Sequence, residues 1–239
     1  MRCLRIRYTK RGKIRFIGHR DVARIWERTL RKANIPVLYS QGFSPHPRIS
    51  FGLALPTGFE SEAEYVDIYL GEEFFMNDFD SKSIQQDIDR ALPVGMDALG
   101  IGIVSTSEDS LQEAVDACIW EVRVSGVSVE EFKKIRDEMF SSDSLNIERE
   151  RKGKLLVEDV RGQVHSMDIT EEHEDGVTIL TELGTKPRVL RPTDLLKRIN
   201  SELRTVRVLR KEQLTLQGNQ RIEPLSIELH PAAPAEVLA

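Results

Sequence analysis

Between Ser40 and Glu64 the chain reads SQGFSPHPRISFGLALPTGFESEAE. These 25 residues carry His46, Arg48, Ser50, Ser61, Glu62 and Glu64, spaced by Gly42, Gly52, Gly58, Pro45, Pro47 and Pro56. A histidine with proline on both sides suits neither a helix interior nor a central strand. Residues that precede proline are driven out of the α region, so Ser44 and His46 are expected to be extended. Gly42 supplies the backbone freedom where this stretch leaves its strand. Phe43 to Arg48 therefore reads as a stiff arm carrying one imidazole and one guanidinium. His46 could act as an acid or base near neutral pH, or stack on a nucleobase beside Phe43. Arg48 could bind a phosphate or clamp Glu62 or Glu64. His19, with Arg15 and Arg20 nearby, completes the constellation, and Ser40, Gly42, Ser61 and Glu64 would support it. The competing reading is structural: the acids neutralise the arginines and pin the arm to a sheet.

A second set of chemical groups comes from periodicity. Between His19 and Ala33, Val22, Ile25, Trp26, Thr29, Leu30 and Ala33 follow the helical repeat and mark a buried stripe. Arg20, Arg24, Arg28 and Arg31 fall on the opposite face, with Glu27 placed to pair with Arg31 at i,i+4. A row of guanidiniums one helical turn apart suits a phosphate backbone, although a plain solvated face has the same pattern. Residues 1–60 hold thirteen Lys or Arg against three Asp or Glu, a balance of +10, so the other 179 carry −15 of the net −5. A basic N-terminal region on an acidic chain points to a local anionic partner.

The surrounding elements read as follows. Strands are expected near residues 2–8, 35–40, 49–55, 64–70 and 97–105, with 14–17 returning as a strand. Helices are expected at 18–33 and 81–92. After a polar, acidic boundary at 105–114 the order repeats. There are strands at 117–125, 146–152 and 177–183, a strand or hairpin region at 155–169, helices at 128–140 and 191–200, and a last strand at 205–216. Ser128 with Glu131 three residues on forms a capping-box pattern. Each half reads strand–helix–strand–strand–helix–strand, the split βαβ order. The expected fold is α+β: two tandem ferredoxin-like units with antiparallel or mixed sheets. A basic unit at 1–105 carries the 40–64 arm, an acidic unit covers 115–230, and 231–239 forms a disordered tail.

Other classes find no support. The sequence has no GxGxxG, GxxxxGK[ST], GxSxG or HExxH motif. Cys3 and Cys118 have no metal-ligand spacing, and no metal or cofactor is expected. No apolar run approaches the ~18–20 residues that span a bilayer. The N-terminal RCLRIRY lacks an apolar signal core, so a cytoplasmic, reduced protein is expected. The RNP aromatic pattern of an RNA-recognition motif is absent.

The run RTLRKANIPVLYSQGFSPHPRISFGLALPTGFESEAEYVDIYL closely resembles the radical SAM-linked proteins, the bacterial DUF2344 domain. The matching positions are Arg28, Leu30, Arg31, Ala33, Pro36, Tyr39, Ser40, Gly42, Phe43, Pro45, His46, Pro47 and Arg48. They continue through Ala54, Leu55, Pro56, Gly58, Ser61, Glu64 and Tyr65. Ser44 stands where the family usually has Asn. The resemblance implies a domain that occurs as a separate chain beside a radical SAM enzyme or fused to the end of one, and here a separate chain is expected. Without a CxxxCxxC this chain is not that enzyme. The resemblance therefore implies a non-catalytic companion that binds RNA, or docks the enzyme to an RNA or ribosomal substrate. The binding residues would be Arg20, Arg24, Arg28, Arg31, Phe43, His46 and Arg48. Two alternatives stay open: an RNA-modifying enzyme with a duplicated fold like that of some pseudouridine synthases, and a protein–protein scaffold.

Overall fold

The computed structural model describes residues 2–76, 80–105, 110–151, 153–218 and 220–225. The expected tail at 231–239 lies outside them. The first half runs β1 (Arg2–Lys10), α1 (His19–Lys32), β2 (Ile49–Phe51), β3 (Glu60–Tyr69), α2 (Glu72–Met76), α3 (Ser81–Ala91) and β4 (Ala98–Ser105). After the short α4 (Leu111–Ala114) come β5 (Ala117–Ser125), α5 (Val129–Ser141), β6 (Asn146–Arg151) and β7 (Lys154–Asp159). The chain continues with β8 (Val164–His173), β9 (Gly176–Gly184), α6 (Pro192–Ile199), β10 (Arg204–Gln217) and β11 (Gln220–Ile222).

The fold is α+β, built on one large, mostly antiparallel sheet. Its strands lie in the order β4-β1-β3-β10-β5-β9-β8, with β2 added to β3 and β11 to β10. The two halves meet where β10 runs parallel to β3, pairing Leu209 with Glu60 and Arg210 with Ser61. The other pairings in this sheet are antiparallel. β6 and β7 form a separate hairpin.

Two large apolar clusters lie on the sheet, with a small third one at Ala63, Tyr65 and Leu111. Leu4, Ile6 and Tyr8 alternate along β1 and meet Val22, Trp26 and Leu30 of α1, with Val66 and Ile68 of β3. That is the stripe expected from periodicity, and burying it is what fixes α1 on the sheet. Tyr8 meets the edge of Trp26 at 4.9 Å between ring centres. The second cluster gathers Trp120, Val122, Phe132, Ile179, Leu183 and Leu195. α5 starts with the expected capping box: Ser128 accepts from the Glu131 amide, and the Glu131 carboxylate accepts from the Ser128 amide at 3.0 Å.

Three expectations are corrected. Gly12–Phe16 is a 3-10 helix, not a returning strand. Residues 35–40 pair only as isolated bridges, Val37 to Leu70 and Tyr39 to Pro47. The 40–64 stretch is not one arm. Its second part sends Leu53, Leu55 and Phe59 into the core of the other half. Phe59 meets the edge of Trp120 at 6.0 Å. Gly58 turns there with φ +91, and its amide donates to the Arg15 carbonyl at 2.8 Å.

Both cysteines are buried, and neither is in a disulfide. Burial pushes the Cys118 thiol up to about 11, against the nearby Arg210 charge, which lowers it. The Cys118 thiol is therefore not available as a thiolate nucleophile in the folded protein. Titration with Ellman's reagent is expected to find essentially no reactive thiol in the native state and both after unfolding. A thiol that reacts rapidly in the native state would contradict this packing.

Candidate functional site

The sheet carries its charges in a seam between the halves. Glu64 of β3 and Arg210 of β10 form a salt bridge, with side chains 9% and 1% exposed. Arg210 Nη2 also donates to the Leu53 carbonyl at 2.9 Å, and its guanidinium lies 5.5 Å from the Trp120 ring. Burial works against the charge on Arg210, but Glu64 and then Cys118 outweigh it and raise its affinity for the proton. Burial likewise lowers Lys10, whose Nζ donates to the Ile17 carbonyl at 3.0 Å. Tyr8, Lys10, His19 and Glu64 share a cleft of about 20 Å³. That volume holds about one water, not a substrate.

Other acids of β3 are also engaged. Glu60 accepts from Arg207 at 2.6 Å, from the Gly12 amide at 2.9 Å and from Arg15 at 3.3 Å. Burial would raise its pKa, but these donors prevail and hold the carboxyl below its ordinary value. Glu62 pairs with Arg11, and with Lys211 at 2.8 Å. Asp67 takes a two-point bond from Arg5, at 2.7 and 2.9 Å. Arg7 reaches Glu223 at 2.8 Å, and the Tyr65 hydroxyl donates to the same carboxylate at 2.7 Å. The basic residues of β1 and of the turn after it are thus largely neutralised in place.

The arginines of α1 are not. Arg20, Arg24, Arg28 and Arg31 are all exposed. Arg24 has an exposed contact with Asp21 at 3.3 Å, worth little. Arg28 and Arg31 donate to the carbonyls of Arg24 and Glu27, each at 3.3 Å. The expected Glu27–Arg31 carboxylate pair does not form. Among the described residues, Arg20, Arg28 and Arg31 have no carboxylate partner.

The structure scatters the constellation read around His46. Residues 39–47 fold back as a small loop: Ser40 N donates to the His46 carbonyl at 2.9 Å, Arg48 N to the Leu38 carbonyl at 2.7 Å, and His46 N to Ser40 Oγ at 3.0 Å. Gly42 turns the tip with φ +140. Phe43 stands next to it with its ring entirely exposed. Pro45 and the exposed His46 complete the tip. Arg48 clamps neither Glu62 nor Glu64; its guanidinium lies 4.9 Å from the Tyr69 ring. Ser61 is buried, and its Oγ accepts from the Ala63 amide at 3.0 Å. His19 meets the edge of Phe51 at 5.1 Å. The supports Ser40 and Gly42 therefore shape the loop, while Ser61 and Glu64 belong to the seam.

Sequence reading missed Arg210, the partner of Glu64. Removing one member of a buried pair leaves an uncompensated charge and costs about 3–5 kcal/mol, whereas an apolar pair of similar volume is close to neutral. Glu64→Leu and Arg210→Met are each expected to lower unfolding stability by about 3–5 kcal/mol. The double variant is expected to regain most of that loss. Additive losses in a urea-denaturation cycle would show that the two side chains do not act as a pair.

No helix among the described residues is long and apolar enough to cross a membrane. No group of three or more His, Cys, Asp or Glu among them could hold a metal ion. The fold is similar to the crystal structure of the archaeal box H/ACA sRNP Nop10–Cbf5 complex, at 10% identity and TM-score 0.46 over 87% of this chain. It is equally similar to an H/ACA RNP bound to a substrate RNA containing 2′-deoxyuridine, at 10% identity and TM-score 0.46 over 88% of this chain. These alignments cover 46% and 47% of those chains, so this chain spans about half their length. No functionally curated protein matches it. The family model for DUF2344, described as an uncharacterized protein conserved in bacteria, matches residues 3–192, and the chain belongs to that family.

Proposed function

We propose that this protein is a binding module, not a catalyst, that holds RNA phosphates along the exposed face of α1. The loop tip at Phe43 and His46 would meet a base or a protein partner. The observation that carries this reading is the division of charge: Arg5 and Arg7 of β1 are matched by Asp67 and Glu223, while Arg20, Arg28 and Arg31 face solvent with no carboxylate partner among the described residues. Such a row attracts a polyanion and releases its counterions on contact. An entirely exposed phenylalanine on a loop pinned by backbone bonds is a low-entropy anchor for a base or a hydrophobic socket. The resemblance to radical SAM-linked proteins makes a radical SAM enzyme the expected partner, with RNA or a ribosomal particle as the shared substrate. This reading gives His46 no catalytic role, because among the described residues no hydrogen bond orients its ring; the bond it makes to Ser40 is through its backbone amide.

In the same reading each half is a split βαβ unit. The orders β4-β1-β3-β2 and β10-β5-β9-β8 support it, because each half places its first strand between its last and its third. The face of the sheet that carries α1 would then be the face presented to RNA.

The test is a salt titration of RNA affinity. Arg24→Glu with Arg28→Glu is expected to weaken binding at least about tenfold at low salt, and to flatten the slope of log affinity against log salt by about 1.4–1.8. Phe43→Ser is expected to weaken RNA or partner capture without changing that slope. An affinity that is independent of salt, or unchanged in the charge-reversed variant, would overturn the reading.

A further inference from the structure

We infer a second anion-binding site, in the acidic half, where the β6–β7 hairpin faces α6. A cleft of about 960 Å³ opens between them. That is within the roughly 300–1,000 Å³ typical of ligand sites. It is far larger than the one-water cleft beneath His19.

The cleft follows from the way α6 packs. Pro192, Leu195 and Leu196 are buried against the core. Their burial turns Arg191, Asp194, Lys197 and Arg198 toward the cleft. Arg198 Nε donates to the Asn146 carbonyl at 2.5 Å, which ties the helix to β6 and fixes one wall. Arg188 is held by Glu158 at 2.9 Å on the rim. Arg191 and Lys197 are exposed and have no carboxylate partner among the described residues. The described acids on the walls are Glu148 and Asp194, against four cations. Ile147, Val157 and Val189 supply an apolar floor, and Val157 is 60% exposed, a costly position for a valine with nothing over it.

Two uncommitted cations beside a solvent-facing aliphatic floor suit a ligand that is anionic at one end and flat and apolar at the other. A nucleoside phosphate has that chemistry. Arg191 and Lys197 lie about 9 Å apart along the helix axis. That span matches about three nucleotides of a stacked strand. The cleft therefore takes a nucleoside phosphate, free or within a short RNA segment, with phosphate against Arg191 and Lys197 and the base on Val157 and Val189. This inference does not rest on the α1 reading, because the two sites share no residue.

The experiment measures binding of fluorescein-labelled triuridylate to the full chain by anisotropy, with competition by uridine 5′-monophosphate. Wild type is expected to bind. Arg191→Glu with Lys197→Glu is expected to lose at least about tenfold, and Arg191→Gln with Lys197→Gln an intermediate amount with an unchanged circular dichroism spectrum. In the Arg24→Glu/Arg28→Glu background, which removes any contribution of α1, changing Arg191 and Lys197 is expected to cost the same further factor, which separates this site from α1. Displacement by the mononucleotide would assign the site to free nucleotides, and its failure to displace would assign it to a strand; both support the inference. Three results would overturn it: no measurable binding, loss only in the α1 variant, or displacement by pentaglutamate as effective as by the trinucleotide itself.

Discussion

The buried contact of Arg210 with Glu64 is the constraint on which the molecule turns. It joins a strand from the last quarter of the chain to one from the first third. Two charges taken out of water cost several kcal/mol each unless they meet with good geometry. That cost is met at one register of β10 against β3, the register that pairs Leu209 with Glu60. A one-residue slip would turn Arg210 away from Glu64 and bury both uncompensated. The same pairing draws Leu53 over the guanidinium and seats Phe59 on Trp120. The two halves thereby share one continuous sheet.

That constraint also decides which cations are left for a ligand. Glu60, Glu62, Glu64, Asp67 and Glu223 are committed to Arg207, Arg11, Arg210, Arg5 and Arg7. None of them is paired with α1. Four of these acids lie on β3, whose hydrogen bonds fix them, and α1 shows its arginines on the side facing away from the sheet. The local field over that helix is therefore positive although the whole chain carries −5. A polyanion approaching at cellular salt senses charges within about 8 Å, so the local sign decides the encounter.

The sequence showed the parts governed by local rules. The stripe of Val22, Trp26 and Leu30 gave α1 its face, and Ser128 with Glu131 marked the start of α5. The alternation in β1 and β3 placed those strands. The partners of charged residues were not legible, because they are set by pairing between distant strands. Arg210 stands in a run of alternating charge, and a bulge between Arg210 and Glu212 breaks the parity that would have told its face. The Gly/Pro stretch was misread as one arm because its turns are local, while the burial of Leu53 and Phe59 depends on Trp120 at a distance. The stretch serves two purposes. Residues 39–47 present a tip to solvent, and 52–59 tie the halves together.

Ultraviolet crosslinking of the protein to RNA in its own cells, with crosslinked peptides mapped by mass spectrometry, tests the account most directly. The account predicts crosslinks in the peptide carrying Phe43 and His46, flanked by crosslinks from α1 at residues 19–32. Crosslinks confined to β8 and β9, or a protein recovered with no RNA attached, would contradict it.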